Sequence, residues 1–341
     1  MSGGAPPRGT AAGATLVRLL PGIAVAGAAA LVSWGIAGGL ENVPMLTVAV
    51  VLGLVLAQLP GVRPILTGVL APGLAFSSKT LLRAGIVLLG LQLSLSDLAD
   101  LGWVAILTTV LVVVLAFFGT WGLGRLARLP GEQPILLAAG FSICGASAIG
   151  AMSAAVGAKR RDQAVPVALV TLFGTLAIAV LPALAVPLGL TPEQFGHWVG
   201  ASVHDVGQVV ATAQILGPAA LAIAVVVKLT RVLLLAPMVA IVAGIRRRRT
   251  PDATGTRPSI VPLFLVGFVA AVLVRSFVPI PDAVLDGANV LQTALLAMAL
   301  FAIGTSVRIT ELARTGWKAA LVGLAAWALI ALLGYGAALV G

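Results

Sequence analysis

Two cations stand where a membrane helix can least accommodate them. In "VVVKLTRVLLLAP" (225–237), Lys228 and Arg231 lie inside an apolar run from Pro218 to Ile245. At ~1.5 Å per residue Lys228 falls about 15 Å from Pro218, close to the middle of a bilayer. Three residues apart, the two side chains share a helix face. Such a pair is costly in lipid unless something negative meets it. Of the eleven acidic residues, only Asp205 sits in a membrane-depth segment. Pairing Asp205 with one cation still leaves a positive charge, and that surplus points to an anionic substrate. His204 precedes Asp205, and Gln208 shares its face if the segment is helical. A histidine there can carry a proton near neutral pH. Alternatively, Asp205 holds a coupling cation.

Two stretches are built to bring backbone to these charges. "FSICGASAIGAMSAAVGAKRR" (141–161) and "WVGASVHDVGQVVATA" (198–213) both carry a Gly-Ala-Ser signature, at Gly145–Ala146–Ser147 and Gly200–Ala201–Ser202. Small residues let a helix unwind or approach another backbone closely. Where a helix restarts at membrane depth, its free N–H groups and positive dipole end make an anion site. Ser142, Gly145, Ala146, Ser147 and Ser202 therefore join Lys228 and Arg231 as expected substrate-binding residues. His204, Asp205 and Gln208 are the expected coupling residues.

The elements that must position these groups are membrane helices. Apolar residues make up 60% of the 341 and charged residues 9%, against roughly 25% charged in soluble domains. Apolar runs near the roughly 20 residues needed to cross a bilayer recur along the chain. In lipid an unpaired backbone group is so costly that the helix must be the unit. The net charge of +10 does not imply nucleic acid, because the cations sit in short loops and report topology. One cysteine excludes a disulfide framework or a CxxC pair. No metal-ligand cluster and no nucleophile–base constellation stands out, so neither an enzyme nor a bound cofactor is expected. Residues 1–14 read as a flexible terminus, 15–341 as one transmembrane domain, and 246–258 as a cytoplasmic loop. Trp34, Trp103, Trp121, Trp198 and Trp317 lie near the ends of apolar runs and read as interfacial anchors.

Nine runs are unbroken; the segments Pro134–Ala158 and Pro192–Leu216 are long enough to cross but interrupted. If both cross, eleven segments put Lys159, Arg160 and Arg161 outside. If both re-enter, nine segments put every basic loop cluster on the cytoplasmic side, with Glu41, Asp97, Asp100, Glu193, Asp282 and Asp286 outside. The positive-inside rule favours re-entry, with the N-terminus cytoplasmic. The stretch 81–107 also aligns without gaps on 295–321, matching Gly90, Gly102 and Trp103 to Gly304, Gly316 and Trp317. An odd number of segments separates the copies, so they are inverted, as in many secondary transporters. The expected fold is all-α and polytopic: an inverted-repeat transporter of nine to eleven membrane segments, with two broken or re-entrant helices meeting near the midplane.

"SICGASAIGA", "SVHDVGQVVA", "VVKLTRVLLLAP" and "LLRAGIVLLGLQLSL" together resemble the YeiH-type membrane proteins, also called the sulfate exporter family. The resemblance runs from about residue 40 to the end. It implies a multi-pass protein of the bacterial plasma membrane, within the superfamily of bile-acid/sodium symporters and cation–proton antiporters, whose broken helices cross. It also implies a small anionic substrate such as sulfate, sulfite or an organosulfonate. The expected function is a secondary transporter that exports this anion, coupled to protons or a cation. A membrane subunit of an ion-pumping enzyme and a passive anion channel are the alternatives. The expected partners are the small anionic substrate and the lipid bilayer, without nucleic acid, and a homo-oligomer is allowed.

Overall fold

The computed structural model describes residues 8–39, 44–94, 102–249, 263–306 and 317–340, and among them every regular element is helical. In chain order the helices are α1 (Arg8–Gly39), α2 (Met45–Gln58), α3 (Arg63–Thr67), α4 (Ala71–Phe76), α5 (Leu82–Leu89) and α6 (Gly102–Leu126). Next come α7 (Gln133–Ala139), α8 (Ala146–Val156), α9 (Arg160–Ala185), α10 (Pro192–Ser202) and α11 (Val206–Ala213). The chain closes with α12 (Pro218–Leu233), α13 (Leu235–Arg249), α14 (Leu263–Phe277), α15 (Asp282–Ser306) and α16 (Trp317–Val340). Seven helical stretches among the described residues are long and apolar enough to cross a membrane. The centres of the two repeat copies, residues 95–101 and 307–316, lie outside the described residues, as do the start of the N-terminal tail and most of the 246–258 loop.

The chain groups into two compact units, Met1–Leu89 with Ile280–Val307, and Gly90–Pro279 with Arg308–Gly341. In the first unit, helices touch backbone to backbone through glycine. A Cβ on Gly22 of α1 would stand 2.7 Å from the Cα of Gly73 in α4, and one on Gly53 of α2 would stand 2.2 Å from the Phe301 carbonyl oxygen in α15. Contacts this short are how membrane helices gain dispersion energy where lipid gives no hydrophobic drive between them.

The second unit holds both interrupted segments, and each folds back as a hairpin. In the first, α7 continues through a π-helical turn, Gly140–Cys144, and stops at Gly145, whose φ of 66° and ψ of −133° suit only glycine. Gly140 then faces Ile149 across the turn, so α8 runs back along α7. The ends meet: Glu132 and Gln133 before and at the start of α7 line one cleft with Gly157 and Lys159 after α8. Arg246 at the end of α13 is ion-paired with Glu132, so Lys159 and Arg246 occupy the same end of the unit. Crossing would have put them at opposite ends.

The second hairpin follows from the packing of α12. Gly196 of α10 lies against Ala220, and Gly200 against Ala224, so α12 runs parallel to α10. The intervening α11 must therefore return the chain to its starting level. A capping box at Thr191 and Gln194 opens α10, and a second one at Asp205 and Gln208 opens α11. Buried Phe195, Trp198, Val199, Val209, Ala213, Ala220 and Ala224 fill the space between the arms and α12. Both broken segments thus fold back on themselves as hairpins. The Trp198 expectation is corrected: it is 3% exposed and donates its indole N–H to the Ala331 carbonyl of α16 at 2.7 Å, whereas Trp34, Trp103, Trp121 and Trp317 are exposed.

Candidate functional site

The two hairpin tips meet inside the second unit. A Cβ on Gly145, at the first tip, would lie 3.7 Å from the Asp205 nitrogen and the His204 carbonyl group at the second. Four half-helix ends therefore converge: two C-terminal, with free carbonyls, and two N-terminal, with free N–H groups.

Lys228 and Arg231 serve the carbonyl ends. Lys228 Nζ donates to the Ile143 oxygen at 2.6 Å and the Val203 oxygen at 2.8 Å. Arg231 Nε donates to Ser142 O at 3.1 Å, Nη1 to Gly200 O and Val203 O at 2.9 Å each, and Nη2 to Phe141 O at 3.0 Å and Ser142 O at 2.8 Å. A guanidinium has five N–H groups, and these bonds engage all of them. Both side chains are 0% exposed. Cations at helix C-termini meet the negative dipole end, so each residue fastens both tips at once.

The N-terminal ends differ from one another. At α11, Asp205 is the N-cap: its Oδ2 accepts from Gly207 N at 2.9 Å, while Gln208 Oε1 accepts from Asp205 N at 3.1 Å. Gln208 also donates to Thr171 O of α9 at 3.0 Å. Its amide lies against Gly174, where a Cβ would stand 1.9 Å from the oxygen. At α8 the N-cap is Gly145, which has no side chain to offer and makes no side-chain cap bond. Ala146 and Ser147, the first two residues of that helix, are exposed. One tip carries its own carboxylate; the matching position at the other carries no side chain.

The charges sum in the same sense. Each helix end counts for about half a unit charge, so the two carbonyl ends offset about one cation, and Asp205 offsets the other. The two amide ends then leave the tips about one unit positive.

The structure thus brings together Ser142, Gly145, Ala146, Ser147, Ser202, His204, Asp205, Gln208, Lys228 and Arg231 around one junction. Their parts differ from the expected ones in detail. The hydroxyls of Ser142 and Ser202 donate at 2.6 Å to Ala138 O and Trp198 O in their own helices, so the Ser142 carbonyl rather than its hydroxyl faces the charges. Sequence reasoning missed Phe141, whose ring lies 4.4 Å from the His204 ring and 6.1 Å from Phe173. It also missed His197, buried in α10. Its signal was rarity, for the chain has only two histidines.

Comparison with known proteins places the chain among membrane proteins. The family model "Conserved hypothetical protein 698" matches residues 19–323. A UPF0324 membrane protein of Corynebacterium glutamicum is 42% identical over 309 residues, covering 89% of this chain and 87% of its own. A UPF0324 membrane protein of Agrobacterium fabrum is 36% identical over 291 residues, 85% of this chain and 82% of its own. The UPF0324 inner membrane protein YeiH of Salmonella typhi is 35% identical over 329 residues, 93% of each. No solved structure matches. With a family match over most of its length and these relatives along it, the chain belongs to the UPF0324, or YeiH-type, family of membrane proteins.

Proposed function

We propose that this protein is a secondary transporter of a small anion, held at the N-terminus of α8 between the two hairpin tips. Sulfate, sulfite or an organosulfonate is the class the family resemblance implies, and export is the direction. The observation that carries the reading is the unequal capping of the tips: Asp205 closes α11, whereas α8 opens on Gly145 with Ala146 and Ser147 exposed. Lys228 and Arg231 lend the site their charge through the tips they fasten. His204 and Asp205 couple the anion to a proton or a cation.

Helix length supports placing the tips at mid-membrane. The arms Gln133–Cys144, Ala146–Val156 and Val206–Leu216 are short apolar helices, and the fourth arm, Pro192–Ser202, has 11 residues. Each spans roughly 16–18 Å at ~1.5 Å per residue, about half of a ~30 Å hydrocarbon core. Two hairpins dipping from opposite faces then meet near its centre, which gives nine membrane segments with Lys159 and Arg246 both cytoplasmic. Single cysteines at these two positions, in a Cys144→Ser background, are expected to resist a membrane-impermeant thiol reagent in right-side-out cells. Labelling at position 159 alone would contradict this topology.

The functional test is uptake of labelled sulfate, sulfite, taurine and sulfoacetate into proteoliposomes across imposed pH or sodium gradients. At least one anion is expected to accumulate in response to one gradient. Movement of an organic cation in place of every anion would overturn the reading.

A further inference from the structure

Both histidines of the chain lie in the second hairpin, and neither is placed as packing alone would place it. His197 sits within the first arm, α10, 4% exposed; His204 follows the end of that arm at the tip, 0% exposed. Nε2 of His197 has no hydrogen-bond partner among the described residues, and the His204 ring has at most the Phe141 backbone. Buried polar atoms are nearly always bonded, so two imidazoles this poorly partnered call for an account. Phe195 and Trp198 already fill the apolar core beside this arm. Imidazoles there add cost without adding packing.

Their spacing supplies the account. They lie seven positions apart, about 10 Å at ~1.5 Å per residue, and His197 stands roughly 8 Å in from Pro192. The two rings therefore divide the distance from the arm's outer end to the junction into two steps, each short enough for a file of two or three waters. A neutral imidazole accepts a proton on one nitrogen and releases another from its second, changing tautomer and returning to neutral. The charged and titratable groups around His204 are Lys228 and Arg231 from α12, Cys144 at the first tip, and Asp205 next in the chain. No charged group among the described residues acts on His197.

We propose that His197 and His204 relay protons along the first arm of the second hairpin, from its Pro192 end to the junction of the tips. The coupling ion is then a proton. This deepens the anion-transport reading and rests on it for the meaning of coupling. Sodium is disfavoured by the same geometry. Broken-helix transporters bind it with half-helix carbonyls, and here those of Phe141, Ser142, Ile143, Gly200 and Val203 already accept from two buried cations.

Deuterium exchange at the imidazole Cε1 position, read by mass spectrometry across pH on purified protein, tests the relay without any anion. Both histidines of the wild type are expected to exchange with a sigmoidal pH dependence. His197→Gln, or His197→Asn should the first variant fail to fold, is expected to slow exchange at His204 roughly tenfold or more. In proteoliposomes the same variant should lose pH-driven net anion uptake to a similar extent, while exchange of labelled for unlabelled anion at uniform pH stays close to wild type. If neither histidine exchanges in the wild type, or if His204 exchanges as fast without His197, the relay is overturned. Uptake driven by sodium and indifferent to pH overturns it too. Coupled histidine exchange in a protein that moves no anion supports the relay and counts against the anion reading alone.

Discussion

Arg231→Ala is expected to leave little folded protein in the membrane. The side chain supplies five hydrogen bonds to four carbonyls, those of Phe141, Ser142, Gly200 and Val203, on two separate hairpins. Val203 would keep its bond from Lys228; the other three would lose what Arg231 gives them. A buried polar group left unsatisfied costs about 1–3 kcal/mol, so three approach the ~5–15 kcal/mol by which proteins are usually stable. Lys228→Met, which removes two bonds, should destabilise less. Arg231→Lys keeps the charge but loses the fork, and should fall between wild type and Arg231→Ala. Yield of monodisperse protein by size exclusion and the midpoint of thermal unfolding check this order. A stable Arg231→Ala protein that merely fails to transport would show that the arginine serves the anion directly.

Ser147→Asp is expected to do the opposite: keep the fold and stop transport. Ser147 lies exposed in the first turn of α8. A carboxylate there meets the positive helix end, worth about 0.3–1 kcal/mol in favour of folding. The change gives the first tip the negative group that Asp205 already gives the second. An arriving anion would then face a like charge, and two unit charges about 4 Å apart near a protein surface repel by about 4 kcal/mol. That corresponds to a roughly thousandfold loss of affinity. Ser147→Ala, which adds no charge, should lose far less. Thermal unfolding and labelled-anion uptake on the three proteins give the two readouts separately.

Much of this arrangement is legible in the sequence, for physical reasons that can be named. The breaks showed because Gly145 and its neighbours are small and polar where a spanning helix would be bulky. The charges favoured a segment that turns back, since Lys159–Arg161 keep to the basic side only if it returns. The partners of Lys228 and Arg231 were hidden, because they are backbone carbonyls, and every residue has one. Among side chains the sequence offers only Asp205 as a neutraliser beside a bound anion, and its D-x-x-Q spacing with Gln208 is also that of a helix cap. Trp198 looked interfacial because its partner, Ala331, lies 133 residues away in the chain and only folding brings it near. His197 drew no notice because its neighbours in sequence carry no charge closer than Glu193.

The central claim is that the amide end of α8 at the first tip binds the anion. Equilibrium binding of labelled sulfate, sulfite and taurine to purified wild type and Ser147→Asp, each first shown to be folded, tests it most directly. Saturable binding of at least one of these anions to the wild type, absent or roughly a thousandfold weaker in Ser147→Asp, is the expected result. Equal affinity in the two proteins would place the anion elsewhere and contradict the account.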